Sequence, residues 1–337
     1  MLPHDLIMEK LKQHADETAC DLIKYYLSKR KQRVKLCGVC SSWETIVKEI
    51  PQGSFLGPLL FNIFMNDLHL VTENSTLSTN AGDTQIFYAG NDTVEVEQAI
   101  NSDLRRVDNW FDKNGKKRSP SKYKVIFFGN SHSDPKFVCE NTVIPLEDGM
   151  DLLVVTIDSK LKFDAHVAKI CLKVSQQVAV LKRMKKIVPF DTRMNLYRAP
   201  HFNYCTETWP HFCSRRASHK LEKNNERALR FVYRDNNSSY DMLLNKCGQQ
   251  TLLNQRLATI LTTVYRTVNN KKVSTSLCDL LKLRESRYNL RGEAIFTLPK
   301  VNTTKYGLKS MSYQGAKLWN ALPNEQRKII NSLRKVF

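Results

Sequence analysis

Apolar positions along the chain change their period partway, and the change divides it. Residues 5–29 follow a helical spacing. Gln32 to Leu36 and Trp43 to Val47 then read as two short strands joined through Cys37-Gly38-Val39-Cys40, with Gly38 marking the bend. After Pro51-Gln52-Gly53-Ser54 the pattern predicts an apolar helix from about Leu56 to Leu68, and Thr84 to Tyr88 reads as a strand that follows a tight turn. Helical spacing returns over 94–113 through Val96, Ile100, Leu104, Val107 and Phe111. Lys124 to Phe128 is the clearest strand pattern of all, ended by Gly129-Asn130, and shorter strands are expected at 142–146 and 152–157. From residue 163 to about 270 nearly everything is helical in pattern, beginning with Val167, Ile170, Leu172, Val174, Val178 and Leu181 with lysines between them. Mixed strand and helix first, helix afterwards, with no internal repeats or low-complexity tracts, places the chain in the α+β class.

Charge sharpens this picture. Of the 337 residues 52 are Lys or Arg and 33 are Asp or Glu, a formal charge of +19, while 42% are hydrophobic. That is enough apolar material for a core in each of about two domains. Residues 160–235 hold 17 of the basic residues against 6 acidic ones, so this segment is the electrostatic centre of the molecule. Such a surplus favours a polyanionic partner, of which nucleic acid is the commonest, although a basic helix face can also be merely solvated. No apolar stretch approaches the ~18 residues of a spanning helix, since Phe55 to Met65 is interrupted by Gly57, Pro58 and Asn62. The N-terminal residues do not resemble a secretory signal, and nine scattered cysteines read as reduced thiols. An intracellular protein is expected, with cytoplasm and nucleus both open and no membrane partner.

The strongest local signal is the string Ile50-Pro51-Gln52-Gly53-Ser54-Phe55-Leu56-Gly57-Pro58-Leu59-Leu60-Phe61, a glycine turn directly before an apolar helix. Glycine without a Cβ lets a ligand approach the peptide plane, and the Gln52 amide offers a donor and an acceptor; a buried turn would use the same residues. The string resembles the template-contacting motif of non-LTR (LINE-type) retrotransposon reverse transcriptases, PQGS-x-LGP-LLF-x-x-x-x-N-D-L, and the likeness continues through Asn66, Asp67 and Leu68. Tyr26 to Val34 is similar to that family's finger segment, and Trp110 to Gly129 to its block N-G-x-x-x-N-P-S-K-T-K-V-x-x-F-G. Val155 to Leu161 with Phe163 and His166 resembles L-G-V-x-I-D-x-x-L-x-F-x-x-H, which opens the thumb.

The resemblance implies a right-hand polymerase: a partial palm and fingers over 1–130, short linking strands over 131–160, a basic helical thumb and connection over 161–270, and a basic C-terminal region over 271–337. It implies RNA-directed DNA polymerisation with an RNA template and a DNA primer, and nucleotidyl transfer with two Mg²⁺ ions held by carboxylates. Gln52, Gly53 and Ser54 would contact template and nucleotide, Lys122 would act near the triphosphate, and Lys169, Lys173, Lys182, Arg183, Lys185 and Lys186 would grip the backbone.

The match fails at the metal ligands. Met1 to Leu6 looks like the tail of the motif that carries the first catalytic Asp, which would precede Met1; Asp5 is not its replacement. Asn80-Ala81-Gly82-Asp83-Thr84-Gln85 stands where Y-A-D-D-T-Q is expected, so Gly82 occupies a ligand position and Asp83 alone survives. Loss of one catalytic group costs on the order of several powers of ten in rate. The expected outcome is a chain that binds no Mg²⁺ and does not polymerise; a non-enzymatic nucleic-acid-binding remnant and a non-functional pseudogene product are the alternatives. Lys116 and Arg118 replace leucines, which should charge an inward strand face and harm its packing, and Tyr123 stands where Thr is usual. Between Arg198-Ala199 and Pro200-His201-Phe202 apolar residues are missing, which would shift the helix pairing around Tyr204.

Other candidates are weaker. Cys37 and Cys40 have zinc-like spacing without a second pair, and His201, Cys205, His211 and Cys213 match no finger or knuckle. Trp209, Trp319 and Tyr313 sit in apolar patterns and read as core. Lys282 to Arg291 with Tyr288 interleaved is a candidate nucleic-acid contact or a solvated basic loop.

Overall fold

A computed structural model describes residues 2–51, 53–129, 134–184, 187–197, 202–269, 275–284 and 296–323. The chain divides into two compact units, Met1–Glu147 and Asp148–Phe337. Among the described residues every sheet is one antiparallel strand pair, and helices supply most of the order. No helix among them is long and apolar enough to cross a membrane.

The first unit begins with two helices, α1 (His4–Leu11) and α2 (Glu17–Leu27), where the spacing over 5–29 predicts one. Asp16 makes the break: its carboxylate accepts from the Ala19 N–H at 2.8 Å and caps α2. A long hairpin follows, in which β1 (Lys31–Gln32) pairs with β4 (Glu44–Thr45) and β2 (Lys35–Leu36) with β3 (Val39–Cys40). Its tip is Cys37-Gly38, both with positive φ, as a two-residue turn matched to strand twist requires. The apolar helix α3 (Gly57–Met65) tightens into a 3₁₀ turn over Asn66–Leu70. Strand β5 (Thr76–Asn80) and β6 (Asp83–Phe87) form the next hairpin, and α4 (Thr93–Lys113) runs from its Asp92 cap. The core gathers Ile7, Leu27, Leu60, Phe64, Leu68, Val107 and Trp110, against which Leu77 and Ile86 of the hairpin pack.

Lys124 to Phe128 is not a strand. Val125 makes a single parallel bridge to Leu146, and among the described residues the strands that follow are the short pair β7 (Phe137–Cys139) and β8 (Thr142–Ile144). An extended apolar run becomes a strand only when a partner of matching length supplies its ladder, and none does so here. The charged positions nearby pack better than expected. The Arg118 side chain is 8% exposed and pairs with Asp108, Asp112 and Glu140, while Lys116 Nζ sits 4.6 Å from the Phe61 ring centroid. Burial lowers the Lys116 pKa, with Glu49 pulling the other way.

The second unit starts with the hairpin β9 (Gly149–Leu152) and β10 (Val155–Asp158), wider than the strand expected at 152–157. Its turn forces Leu153 and Val154 to positive φ. Asp158 then shapes the entry to α5 (Asp164–Arg183): its carboxylate accepts from the backbone N–H groups of Lys160, Lys162 and Phe163. Helices α6 (Phe190–Tyr197), α7 (Arg215–Tyr233), α8 (Tyr240–Cys247), α9 (Leu252–Val268), α10 (Thr275–Leu280) and α11 (Met311–Ala321) complete it, so among the described residues the helical expectation from 163 to about 270 holds apart from the turns of 202–214 and the short connections between helices. One core joins α5, α7 and fully buried Trp209, and another joins α9 to α11 through Ile260, Val264 and Trp319. Trp209 and Trp319 are thus core residues, as their pattern predicts. Arg198 to His201 lie outside the described residues.

Candidate active site and nucleic-acid surface

The hairpin β5–β6 carries the Asn80 to Asp83 string, with Asn80 paired to Asp83 across Ala81 and Gly82. Its alternation sets Leu77 and Ile86 on the core and leaves Ala81, Gly82 and Asp83 exposed. Ala81 takes the left-handed region, whereas Gly82 does not, and a Cβ added at Gly82 would meet nothing within 4 Å. An aspartate therefore fits position 82 with neither strain nor collision.

What fixes the hairpin is a residue that the sequence pattern concealed. Asp103, fully buried on α4, accepts from the backbone N–H groups of Glu73 (3.1 Å), Asn74 (2.9 Å) and Ser75 (2.7 Å) and from the Ser75 hydroxyl (2.7 Å). Arg106 adds an ion pair at 3.0 Å. Burial alone would raise the carboxyl pKa, but the hydrogen bonds prevail and hold it well below the usual carboxylate range. Asp103 thus anchors the turn that launches β5. The signal was there to find: it occupies the same helical face as Ile100, Val107 and Trp110, a lone acid in an apolar register.

In the glycine turn, Gly53 has φ +81° with open space around it. The Ser54 hydroxyl accepts from the Tyr26 hydroxyl and from the Leu56 N–H at 3.2 Å, so it orders the approach to α3. Gln52 lies outside the described residues. Lys122, at the end of a 3₁₀ turn over Pro120–Lys122, is exposed. Among the described residues neither Asp83 nor Lys122 makes a side-chain hydrogen bond or ion pair, with Gly53, Ser54 or any other residue. Tyr123 points inward beside Cys139, whose buried thiol donates to Asp108 at 3.3 Å and is pushed up to about 12.

The two divalent ions implied by the family resemblance need several carboxylates at the hairpin turn. Asp83 is the one acid in the Asn80 to Asp83 turn, and among the described residues no group of three or more His, Cys, Asp or Glu side chains could hold a metal. The donor set at this turn does not fit a metal pair. Cys37, Cys205 and Cys213 are likewise free thiols, and His201 lies outside the described residues.

In the second unit Lys169 donates to both carboxylate oxygens of Asp151, at 2.6 and 2.9 Å. Lys173, Lys182 and Arg183 are exposed, and Lys173 borders an open groove of about 390 Å³ with Gln176, Val180 and Leu196. Lys185 and Lys186, and Glu285 to Arg291 of the candidate 282–291 contact, lie outside the described residues. His166, which follows the thumb-like motif, is a packing residue: its Nδ1 accepts from the Thr156 N–H at 3.3 Å, and its ring meets Trp209 edge-on at 5.0 Å.

No family model and no solved structure matches the chain. Curated proteins do. A probable RNA-directed DNA polymerase from transposon X-element of Drosophila melanogaster is 25% identical over 215 residues, 60% of this chain and 24% of that protein. The RNA-directed DNA polymerase from mobile element jockey of the same fly is 23% identical over 189 residues, 53% of this chain and 21% of the relative. A Pol polyprotein from type-1 retrotransposable element R1 2 of Nasonia vitripennis is 27% identical over 184 residues, 47% of this chain and 42% of its own length. The chain is a relative of the non-LTR retrotransposon reverse transcriptases. It spans less than a quarter of the length of the first two relatives. The relationship expected from the Pro51 to Leu68 string is therefore found, and the reverse-transcriptase likeness reaches over about half of the chain.

Proposed function

We propose that the chain is a nucleic-acid-binding portion of a non-LTR reverse transcriptase that does not itself polymerise. The first unit is then a palm-and-fingers remnant and the second a basic thumb and connection region, with RNA template and DNA primer as partners and no resident Mg²⁺. The observation that carries the reading is the hairpin turn, where exposed Gly82 stands beside Asp83. Without a second carboxylate there, the charge of a triphosphate approaching a primer 3′-hydroxyl is left largely uncompensated. The charge of +19 and the relatives' polymerase names support nucleic acid as the partner.

Primer extension on an RNA template with Mg²⁺ or Mn²⁺ tests it, with Gly82→Asp alongside. The wild-type chain should give no extension yet bind an RNA–DNA hybrid with an affinity that falls steeply with salt and ignores Mg²⁺. Extension by the wild-type chain would refute the reading. Extension by Gly82→Asp alone would assign the silence to that one residue, since the turn accepts a side chain without strain.

A further inference from the structure

Along α7 the basic residues Arg216, Lys220, Lys223 and Arg227 recur at intervals of four, three and four, which confines them to an arc of about 60°. All four are exposed, while Ala217, Leu221, Asn224, Ala228 and Val232 are buried on the packed face. Among the described residues none of the four has a side-chain hydrogen bond or ion pair. The acids of the helix are engaged elsewhere. Glu222 accepts from the Tyr240 hydroxyl at 2.6 Å and the Leu253 N–H at 3.0 Å, and Glu226 from Arg230 at 2.6 Å.

This arrangement opposes what an isolated helix favours. Like charges three and four residues apart repel, and here they do so in three successive steps. The first turn holds Arg215 and Arg216 and no acid, against the helix dipole. A solvated face serving solubility alone would interleave acids that pair with it; the acid at pairing distance along α7, Glu226 three residues after Lys223, gives its carboxylate to Arg230 instead. A polyanion laid along the stripe turns each of these repulsions into an attraction.

We propose that this stripe of α7 tracks the phosphate backbone of a nucleic-acid duplex. The inference rests on the reading that the chain binds nucleic acid, and it names the surface and the form of the ligand. From Arg216 to Arg227 the helix rises about 16 Å, a length over which a duplex strand presents several phosphates. Between Arg215 and Arg230 the sequence has no Phe, Tyr or Trp, so it offers no platform for stacking unpaired bases. The α5 face is less suited, since Lys169 is held by Asp151 and the neighbouring Leu172 and Val180 are exposed apolar residues.

The test uses the full chain and a 20-base-pair RNA–DNA hybrid, titrated by fluorescence anisotropy between 50 and 200 mM salt. The variant Arg216→Gln/Lys220→Gln/Lys223→Gln/Arg227→Gln keeps good helix formers at exposed positions, and an unchanged melting curve confirms that it folds. Four lost phosphate contacts should make the slope of log affinity against log salt shallower by about 3.6, with a loss on the order of 10²-fold or more at 50 mM. A wild-type chain that fails to bind the hybrid refutes the nucleic-acid reading itself. A wild-type chain that binds while the α7 variant keeps the full slope overturns the present inference alone. So does a loss confined to Lys173→Gln/Lys182→Gln/Arg183→Gln, a larger loss on single-stranded 20-mer than on duplex, or a stripe-dependent affinity for phosphatidylserine vesicles without one for duplex.

Discussion

Replacing Asp103 by Asn changes one atom and tests how the candidate active-site hairpin is held. In the native chain the buried carboxylate receives three backbone N–H groups and the Ser75 hydroxyl, and it pairs with Arg106. Hydrogen bonds to a charged partner contribute about 1.5–3 kcal/mol each against about 0.5–1.5 kcal/mol for neutral ones. The amide also turns an N–H₂ group toward donors, which strands at least one backbone N–H. Asp103→Asn should therefore cost about 3 kcal/mol, a large part of the roughly 5–15 kcal/mol that a domain commands. The pH dependence follows from the sign of the shift. A carboxyl whose pKa is depressed in the folded state stabilises fully above its unfolded value of about 3.9, and that stability is lost as pH falls toward the folded value. Urea unfolding at pH 7 and near pH 3, with hydrogen exchange at Glu73 to Ser75, reads both effects. By pH 3, below the unfolded value but still above the folded one, the wild type should have lost part of its advantage over Asp103→Asn, and the three amides should exchange faster in the variant at pH 7. A variant within 0.5 kcal/mol of wild type at pH 7, with unchanged protection at these amides, would refute the reasoning.

Two further outcomes concern the second unit. Leu153 and Val154 hold positive φ in the β9–β10 turn, a conformation that costs a branched side chain on the order of 1 kcal/mol or more, so Leu153→Asn/Val154→Gly should raise the thermal midpoint; an unchanged or lower midpoint counts against strain there. His166 is buried and neutral, with burial lowering its pKa, so below an unfolded value of about 6.5 the unfolded chain takes up a proton that the folded one refuses. Melting at pH 7, 6 and 5 should show stability falling with pH in the wild type and less so in His166→Gln, and equal slopes would remove His166 as the cause.

Local periodicity exposed α4, α5, the β6 strand and the hairpin around Cys37 and Gly38, because each depends on residues close in sequence. The failures share a different cause. Lys124 to Phe128 has the composition of a strand, but a strand is a relation between two segments, and only Leu146 answers Val125. The charge at Arg118 reads as damage because its partner Glu140 lies 22 positions away, and the bond that orders Ser54 comes from Tyr26, 28 positions earlier. Asp103 was legible in principle as the exception in an apolar register, yet its meaning comes from Glu73 to Ser75, about 30 positions earlier. The same division bears on function. The spacing of Arg216, Lys220, Lys223 and Arg227 can be read from sequence, but Glu222 two and one positions from Lys220 and Lys223 would seem to neutralise them. Only the fold shows that carboxylate turned to Tyr240 and Leu253, so that among the described residues no acid pairs with the stripe.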